Sequence, residues 1–324
     1  ANHSTSVKET KSIPHYLQPL GYRVALIGKK HFGPESAYPF EYLGKGGSKT
    51  EDLNPVFVQK STDFIESCAK EETPFCLFIA SNDGHGPYTT GDPSQYDPDK
   101  LTIPSYWSDT KELRKALVPY YAEITNFDDL VGQMKEVLEK RGLLDNTILI
   151  VCSEQGTAFP FAKWTCFENG LHTGLVVHWP EVIKAGSVSD ELITIGDVTP
   201  TLVNAAGGSL LPDDCDGKSF LPILKGENIE LHEYVYGAFT NCNILDNRTR
   251  IYPIRSIRTK KYSMLWNPNY EEITSNVTLT NALEMVRGSD EEYGGVAPSW
   301  VRKAQHDPRT DKLVDKLFHR PQYG

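Results

Sequence analysis

The stretch LIGKKHFGP, residues 26–34, joins an apolar run to a cluster of cations. The run that enters it, residues 24–27, is predicted to be a buried strand. Lysine and histidine side chains that directly follow a strand lie at the edge where open α/β sheets place their ligand crevice. Because the cluster is cationic, it suits an oxyanion such as sulfate, phosphate or carboxylate. On this spacing alone, a solvated basic turn is the alternative interpretation.

Apolar periodicity predicts an α/β fold. Buried strands are predicted where short apolar runs are bounded by glycine, proline or charge, at residues 24–27, 74–80, 147–152 and 174–179. A helix is predicted between the second and third strands, because apolar residues recur at three- and four-residue steps from Tyr121 to Leu138 before Gly142. A further short helix is predicted over residues 198–206. Strands that alternate with helices indicate a largely parallel sheet covered on both faces.

The pattern changes after about residue 230. Short strands without long helices between them are predicted at residues 234–239, 254–258 and 262–266. We therefore expect a smaller antiparallel subdomain over residues 231–324, following an α/β domain over residues 1–230.

Composition argues against several classes of protein. The chain has 33 Lys+Arg against 43 Asp+Glu and a formal net charge of -10, which argues against a general nucleic-acid binder. An anionic substrate must therefore be held by a local cationic pocket. No apolar run reaches the roughly 18 residues of a membrane span. None of the six cysteines forms a CxxC pair, which argues against a cysteine-based zinc site.

Polar side chains also follow the second and third predicted strands. The second strand is followed by SNDGHGP at residues 81–87, which contains His85. The third is followed by Glu154 and Gln155, and Lys163 comes a few residues later. If these strands are parallel neighbours, their polar groups converge on one crevice.

The ordered series of motifs resembles the type I sulfatases. It comprises GKKHFGP at 28–34, YPF at 38–40, the stretches 74–87 and 120–156, DVTPT at 197–201 and DGKS at 216–219. The two lysines and the following YPF are most similar to the N-sulfatases (sulfamidases) of that family. The resemblance implies an alkaline-phosphatase-like α/β sandwich with a largely parallel central sheet and a small C-terminal antiparallel sheet. It also implies hydrolysis of a sulfate ester or sulfamate on a sulfated saccharide or glycosaminoglycan.

The resemblance also implies roles for individual residues. Lys29 would bridge the nucleophile and a sulfate oxygen, and Lys163 would grip the sulfate. His31 would hydrogen-bond the nucleophile and help to expel sulfate from the covalent intermediate. His85 would contact the leaving-group oxygen and protonate it, although Gly84 stands where the family usually has proline.

Two cofactors are implied. One is a divalent cation, Ca²⁺ or alternatively Mg²⁺, for which Glu154 and Gln155 occupy the positions of the family's Asp-Asn ligands and offer the same oxygen chemistry. The other is a formylglycine nucleophile made from a C/S-x-P-x-R motif. Neither this motif nor the family's first Asp-Asp ligands occur in the 324 residues. We expect both upstream of Ala1, with the chain truncated at both ends and inactive on its own.

Two other functions stay open. A phosphomonoester or phosphonate-ester hydrolase of the same superfamily shares the lysine and histidine chemistry, but usually carries further Asp and His metal ligands. A non-catalytic carbohydrate-binding homologue would explain the missing nucleophile. The family resemblance implies export to the periplasm, the exterior or the lysosome. The first residues do not form a signal peptide, and the N-x-S/T sequons at Asn2, Asn247 and Asn276 are weak support for secretion.

Overall fold

A computed structural model of the chain describes residues 5–47, 51–163, 165–210, 214–241, 244–245, 248–249, 252–271, 296–318 and 322. The three sequon asparagines, Asn2, Asn247 and Asn276, lie outside the described residues.

The regular elements follow the chain in this order. The helices are α1 (Ile13–Leu17), α2 (Asn54–Lys70), α3 (Lys111–Lys140), α4 (Glu168–Leu171), α5 (Val198–Ala205), α6 (Leu221–Leu224), α7 (Val296–Ala304) and α8 (Pro308–Phe318). The strands are β1 (Arg23–Gly28), β2 (Glu41–Gly44), β3 (Phe75–Ala80), β4 (Leu149–Cys152), β5 (Leu175–His178), β6 (Val235–Asn241), β7 (Ile244–Leu245), β8 (Arg248–Thr249), β9 (Tyr252–Arg258) and β10 (Ser263–Trp266). None of the described helices combines the length and the apolar composition needed to cross a bilayer.

Strand β1 lies at the centre of a parallel three-stranded sheet, between β2 and β3. Successive side chains of a strand point to opposite faces. Ala25 and Ile27 pack with α2 and α3, whereas Val24 packs with α1 and α5. Because both faces are covered, β1 is continuously apolar and buried after Arg23 rather than alternating. The predicted α/β class with a parallel sheet is confirmed.

The second pair of predicted strands departs from the parallel arrangement. Strand β4 pairs with β5 antiparallel, with Leu149 opposite His178, so the condition that the strands before the polar clusters are all parallel neighbours is not met by β4. A parallel return needs a long crossover, usually a helix. The intervening chain holds only the four-residue helix α4 and folds back on itself, so that the Ser153 N–H donates to the Gly174 carbonyl at 3.1 Å.

Among the described strands, β3 has a hydrogen-bonded neighbour along only one of its two edges. It bonds to β1 in register from the pair Arg23 and Phe75 to the pair Gly28 and Ala80. No other described strand pairs with it. Its sequence, FCLFIA, carries no charge, yet all six residues are partly exposed.

The last part of the chain contributes to two different cores. The antiparallel sheet β10-β9-β6 packs through Phe239, Ile254 and Leu265 on Cys166. Helices α7 and α8 instead return to α3, where Trp300 is fully buried in a cluster with the N-terminal half of that helix. The boundary predicted at residue 230 stays a prediction.

A buried carboxylate fixes the start of α5 to the segment that follows it. Asp197 is 0% exposed and accepts hydrogen bonds from the N–H groups of Thr194 at 2.7 Å and Lys218 at 2.6 Å. The His232 Nε2 donates to the same carboxylate at 3.0 Å. A buried acceptor shared by several donors is costly to remove, because every donor then loses its partner.

We therefore predict that Asp197→Ala lowers the free energy of unfolding by about 3 kcal/mol or more. Urea denaturation, followed by tryptophan fluorescence, measures the change. Asp190→Ala, at an exposed position, is the matched control and should stay within about 0.5 kcal/mol of the wild type. Equal stability of the two variants would contradict the structural role of Asp197.

Candidate active site

The turn after β1 is closed by a contact that only glycine permits. Gly28 has φ +97°, and a Cβ there would lie 2.2 Å from the Ala80 carbonyl oxygen. The next residue, Lys29, donates its N–H to that same oxygen at 2.8 Å. The ends of β1 and β3 are therefore fixed side by side, and the polar residues that follow them leave the sheet at one edge.

The two adjacent lysines have different surroundings. The Lys29 Nζ lies 3.9 Å from Glu154 Oε2, so it joins the end of β1 to the end of β4. The Lys30 Nζ instead lies 2.9 Å from Glu35 Oε1 and 5.3 Å from the centre of the Tyr42 ring. Because the Glu154 side chain is 77% exposed, its attraction for Lys29 is worth about 1 kcal/mol or less. The Lys29 ammonium is thus held near the strand ends without a strong competing anion.

His85 is held by its own turn. Its backbone N–H donates to the Asn82 carbonyl at 3.1 Å, and its ring Nδ1 lies 2.8 Å from the Gly86 carbonyl oxygen. Because a carbonyl can only accept, Nδ1 is the ring nitrogen that carries the proton in this contact. When the ring is positively charged, Nε2 also carries a proton, which it can donate to a bound group.

A buried carboxylate lies beneath this turn. Glu123, in α3, is 2% exposed, and accepts hydrogen bonds from the N–H groups of Gly84 at 2.9 Å, Thr89 at 2.7 Å and Thr90 at 3.3 Å. Burial raises the pKa of the Glu123 carboxyl, an effect that these N–H donors oppose. The sequence pattern did not single out this residue. Its place on the apolar stripe, four residues before Phe127, could have revealed it as a buried charge.

Lys163 lies on a loop that packs, through an aromatic side chain, against the loop that carries His85. The loop buries Phe159, whose ring lies 6.2 Å from that of Tyr88 and 5.7 Å from that of Tyr120. The Lys163 N–H donates to the Thr157 carbonyl at 2.9 Å, which closes the loop on itself. Tyr88 lies on the His85 loop, so packing on Phe159 connects the loops that carry His85 and Lys163.

The backbone of the Lys163 loop is strained at one buried residue. Phe161 has φ +67°, a conformation that costs a non-glycine residue about 1–3 kcal/mol. Its ring packs against Phe167 at 5.5 Å and Trp300 at 6.3 Å. Helix α7 therefore helps to hold the loop that presents Lys163.

The predicted metal ligands supply suitable but few donors. Glu154 and Gln155 offer a carboxylate and an amide oxygen, which suit Ca²⁺, but this ion takes 6–8 oxygen ligands. No group of three or more His, Cys, Asp or Glu side chains arranged to hold a metal occurs among the described residues. Glu154 and Gln155 alone would therefore supply only part of the ligand set of such an ion.

The predicted site residues are distributed as follows. Lys29 and Glu154 are in contact, with Gln155 adjacent to Glu154 in sequence. His85 and Lys163 lie on loops that meet at Phe159, whereas His31 lies in an exposed turn after β1. The catalytic, sulfate-binding and metal-binding roles assigned to these residues stay predictions.

Comparison with known protein families identifies the family of this chain. Residues 2–209 match the family model described as Sulfatase. The chain belongs to the sulfatase family. Residues 156–279 also match a model described as N-sulphoglucosamine sulphohydrolase, C-terminal. The resemblance drawn from the lysine-histidine motif is confirmed at the level of the family.

Curated relatives agree with this assignment. The chain is 36% identical over 291 residues to an ulvan-active sulfatase of Formosa agariphila, covering 86% of this chain and 54% of that protein. It is 27% identical over 305 residues to the human N-sulphoglucosamine sulphohydrolase, covering 83% of this chain and 59% of that protein. The chain thus spans between half and two thirds of the length of these relatives.

A solved structure shows the same fold. It was determined with its substrate D-glucosamine-2-N,6-O-disulfate, and it superposes with a TM-score of 0.65 at 18% identity. The superposition covers 98% of this chain and 83% of the other. The alkaline-phosphatase-like architecture expected from the sequence is therefore confirmed.

The Gly28 turn generates a stability prediction. Gly28→Ala is expected to lower the free energy of unfolding by about 2 kcal/mol or more, because it combines a positive φ with a contact against the Ala80 carbonyl. Gly132→Ala is the matched control, since a Cβ at that helical position meets no atom within 4 Å. The control should be neutral or stabilising by about 0.5–1 kcal/mol. Urea denaturation of both variants checks this, and a neutral Gly28→Ala variant would show that the turn is not constrained.

Proposed function

We propose that the full-length protein containing this chain hydrolyses a sulfate ester or sulfamate on a sulfated saccharide. One observation carries the proposal: the Lys29 ammonium stands beside Glu154 where β1, β3 and β4 end, in a chain that matches the sulfatase family model. A sulfuryl group in transfer concentrates negative charge on its oxygens, and fixed cations at that place lower the barrier.

The proposed division of labour follows the elements that carry each group. Lys29 and Lys163, from two different loops, would neutralise the sulfuryl oxygens. His85 would donate a proton from Nε2 to the leaving oxygen or nitrogen of the sugar, because a sugar is a poor leaving group without one. His31, close to Lys29 in the chain, would hydrogen-bond the nucleophile and assist sulfate release.

The nucleophile and the cation complete the proposal. No C/S-x-P-x-R motif occurs in the 324 residues, so the proposal requires that another part of the full-length protein provides the formylglycine. Glu154 and Gln155 would contribute oxygen ligands to one divalent cation, Ca²⁺ first and Mg²⁺ second. Such a cation would add positive charge beside the sulfate.

We propose an N-sulfated amino sugar of the glycosaminoglycan type as the first substrate to test. Support comes from the second family model, described as N-sulphoglucosamine sulphohydrolase, C-terminal, and from the human relative of that name. An O-sulfated sugar is the alternative, because the relative with the higher identity is described as ulvan-active. An exported location, periplasmic, extracellular or lysosomal, accompanies this proposal and rests on the family resemblance.

Two rivals would give different results in the same assays. A phosphonate or phosphate monoester hydrolase would cleave the phosphoryl counterparts faster than any sulfate. A non-catalytic carbohydrate-binding homologue would bind a sulfated sugar without turnover. The match to the sulfatase family favours sulfate hydrolysis over both.

The contrast between the two lysines supplies the central test. In the full-length protein, Lys29→Ala is expected to lower kcat/KM for the sulfated sugar by about 100-fold or more, because it removes a cation from the sulfuryl oxygens. Lys30→Ala should stay within about threefold of the wild type, because Lys30 contacts Glu35 and Tyr42. Steady-state release of sulfate measures both variants. Equal losses in the two variants would contradict the role of Lys29.

The cation assignment is tested by binding. Glu154→Ala is expected to weaken Ca²⁺ binding by about tenfold or more, because a carboxylate ligand carries both charge and oxygen donors. Isothermal titration of Ca²⁺ into chelator-treated full-length protein measures the affinity. Glu181→Ala, at an exposed position, is the matched control, and an unchanged affinity in Glu154→Ala would remove this residue from the site.

A further inference from the structure

We propose that Glu123 is a positioning residue that aims His85 at the leaving group. This inference rests on the proposed function, and it goes further by assigning a role to a residue that the predicted site did not include. Glu123 would not touch the substrate, because its carboxylate is buried against the backbone of the loop that carries His85.

The hydrogen bonds of Glu123 hold both arms of that loop. Oε2 accepts from Gly84, the residue immediately before His85. Oε1 accepts from Thr89 and Thr90, where the loop turns back. One rigid helical side chain thus sets the distance between the arms, with His85 at the bend between them.

The loop is also pressed against the same helix by packing. Gly91 has φ +73°, and a Cβ there would lie 2.1 Å from the Ala122 carbonyl oxygen. The Tyr88 ring meets the Tyr120 ring edge-on at 5.4 Å. The loop therefore lies directly against helix α3 next to Glu123.

A second carboxylate, that of Asp83, also ties the His85 loop to helix α3. Asp83 accepts from the Thr90 hydroxyl at 2.8 Å and from Asn126 Nδ2 at 3.2 Å. Its negative charge also raises the pKa of Glu123, in the same direction as burial. The carboxylates of Asp83 and Glu123 thus both accept hydrogen bonds from the His85 loop, and Asp83 also accepts one from helix α3.

A shift of the Gly84 backbone would change the position of the His85 ring. The backbone N–H of His85 donates to Asn82, and Nδ1 donates to Gly86, so the ring orientation is set by the same turn. A general acid works only within hydrogen-bond reach of its target, about 2.6–3.2 Å. A small displacement of the turn would therefore remove proton donation while leaving sulfate binding by Lys29 in place.

Comparing kcat/KM for two substrates with different leaving groups distinguishes positioning of His85 from a general loss of stability. Departure of a sugar oxygen or nitrogen needs a proton, whereas 4-nitrophenolate leaves without one. Glu123→Gln replaces an acceptor oxygen with an N–H₂ group that faces backbone donors. We expect Glu123→Gln in the full-length protein to lower kcat/KM about tenfold or more for the sulfated sugar, and less than about threefold for 4-nitrophenyl sulfate. The ratio of the two rates is independent of the folded fraction of the sample.

Two further variants complete the test. Glu136→Gln, on the exposed face of the same helix and paired with Lys140, should leave the ratio unchanged. In a His85→Ala background, Glu123→Gln should have almost no additional effect on the sugar substrate, because both changes act on the same proton transfer. Equal losses on both substrates, or additive effects in the double variant, would overturn the proposal.

The native protein provides a measurement for the case in which Glu123→Gln does not fold. Hydrogen exchange of the amides of Gly84, Thr89 and Thr90 should be much slower than at the exposed residues 184–190, because the Glu123 carboxylate accepts a hydrogen bond from each of them. Equally fast exchange would overturn the inference. A wild-type protein that hydrolyses no sulfate would instead overturn the proposed function, and the inference with it.

Discussion

The parallel pairing of β1 with β3 is the constraint on which the site depends. The two strands run in register to their ends, where Gly28 lies against the Ala80 carbonyl and the Lys29 N–H bonds to the same oxygen. A side chain at position 28 would force the strands apart at the edge from which Lys29 and the His85 loop depart. The charge of the site is thus placed by backbone contacts rather than by ion pairs.

The remaining parts of the site are supported from helix α3 and from the aromatic core. The His85 loop is bonded to Glu123, and Phe159 joins it to the loop that carries Lys163. Trp300, from the far end of the chain, packs beneath the strained Phe161. Elements far apart in sequence therefore share one support, and the positions of the polar groups depend on packing that no local motif encodes.

The sequence predicted the elements that local periodicity defines. Strands β1 and β3 and helix α3 were found because their apolar runs and steps are long and uninterrupted. The antiparallel turn from β4 to β5 was not, since strand direction depends on how the intervening loop folds back around Gly156, where a Cβ would meet the Asn169 carbonyl oxygen. The rotation of the helix differs from the predicted one: Ile124, an apolar residue within the stripe predicted from Tyr121 to Leu138, is 42% exposed, whereas its neighbour Glu123 is buried. The spacing to Phe127 marks position 123 as a buried one, but the N–H donors that satisfy its charge come from a loop that is distant in sequence.

The second edge of β3 has a consequence for handling the protein. A short, uncharged, apolar strand with one edge that no described strand covers is a template for a strand from another molecule. Produced alone, these 324 residues would self-associate through FCLFIA into oligomers or insoluble material. A longer expression product, or a lysine placed on that strand, would determine whether the polypeptide stays monodisperse at the concentrations that crystallography and calorimetry require.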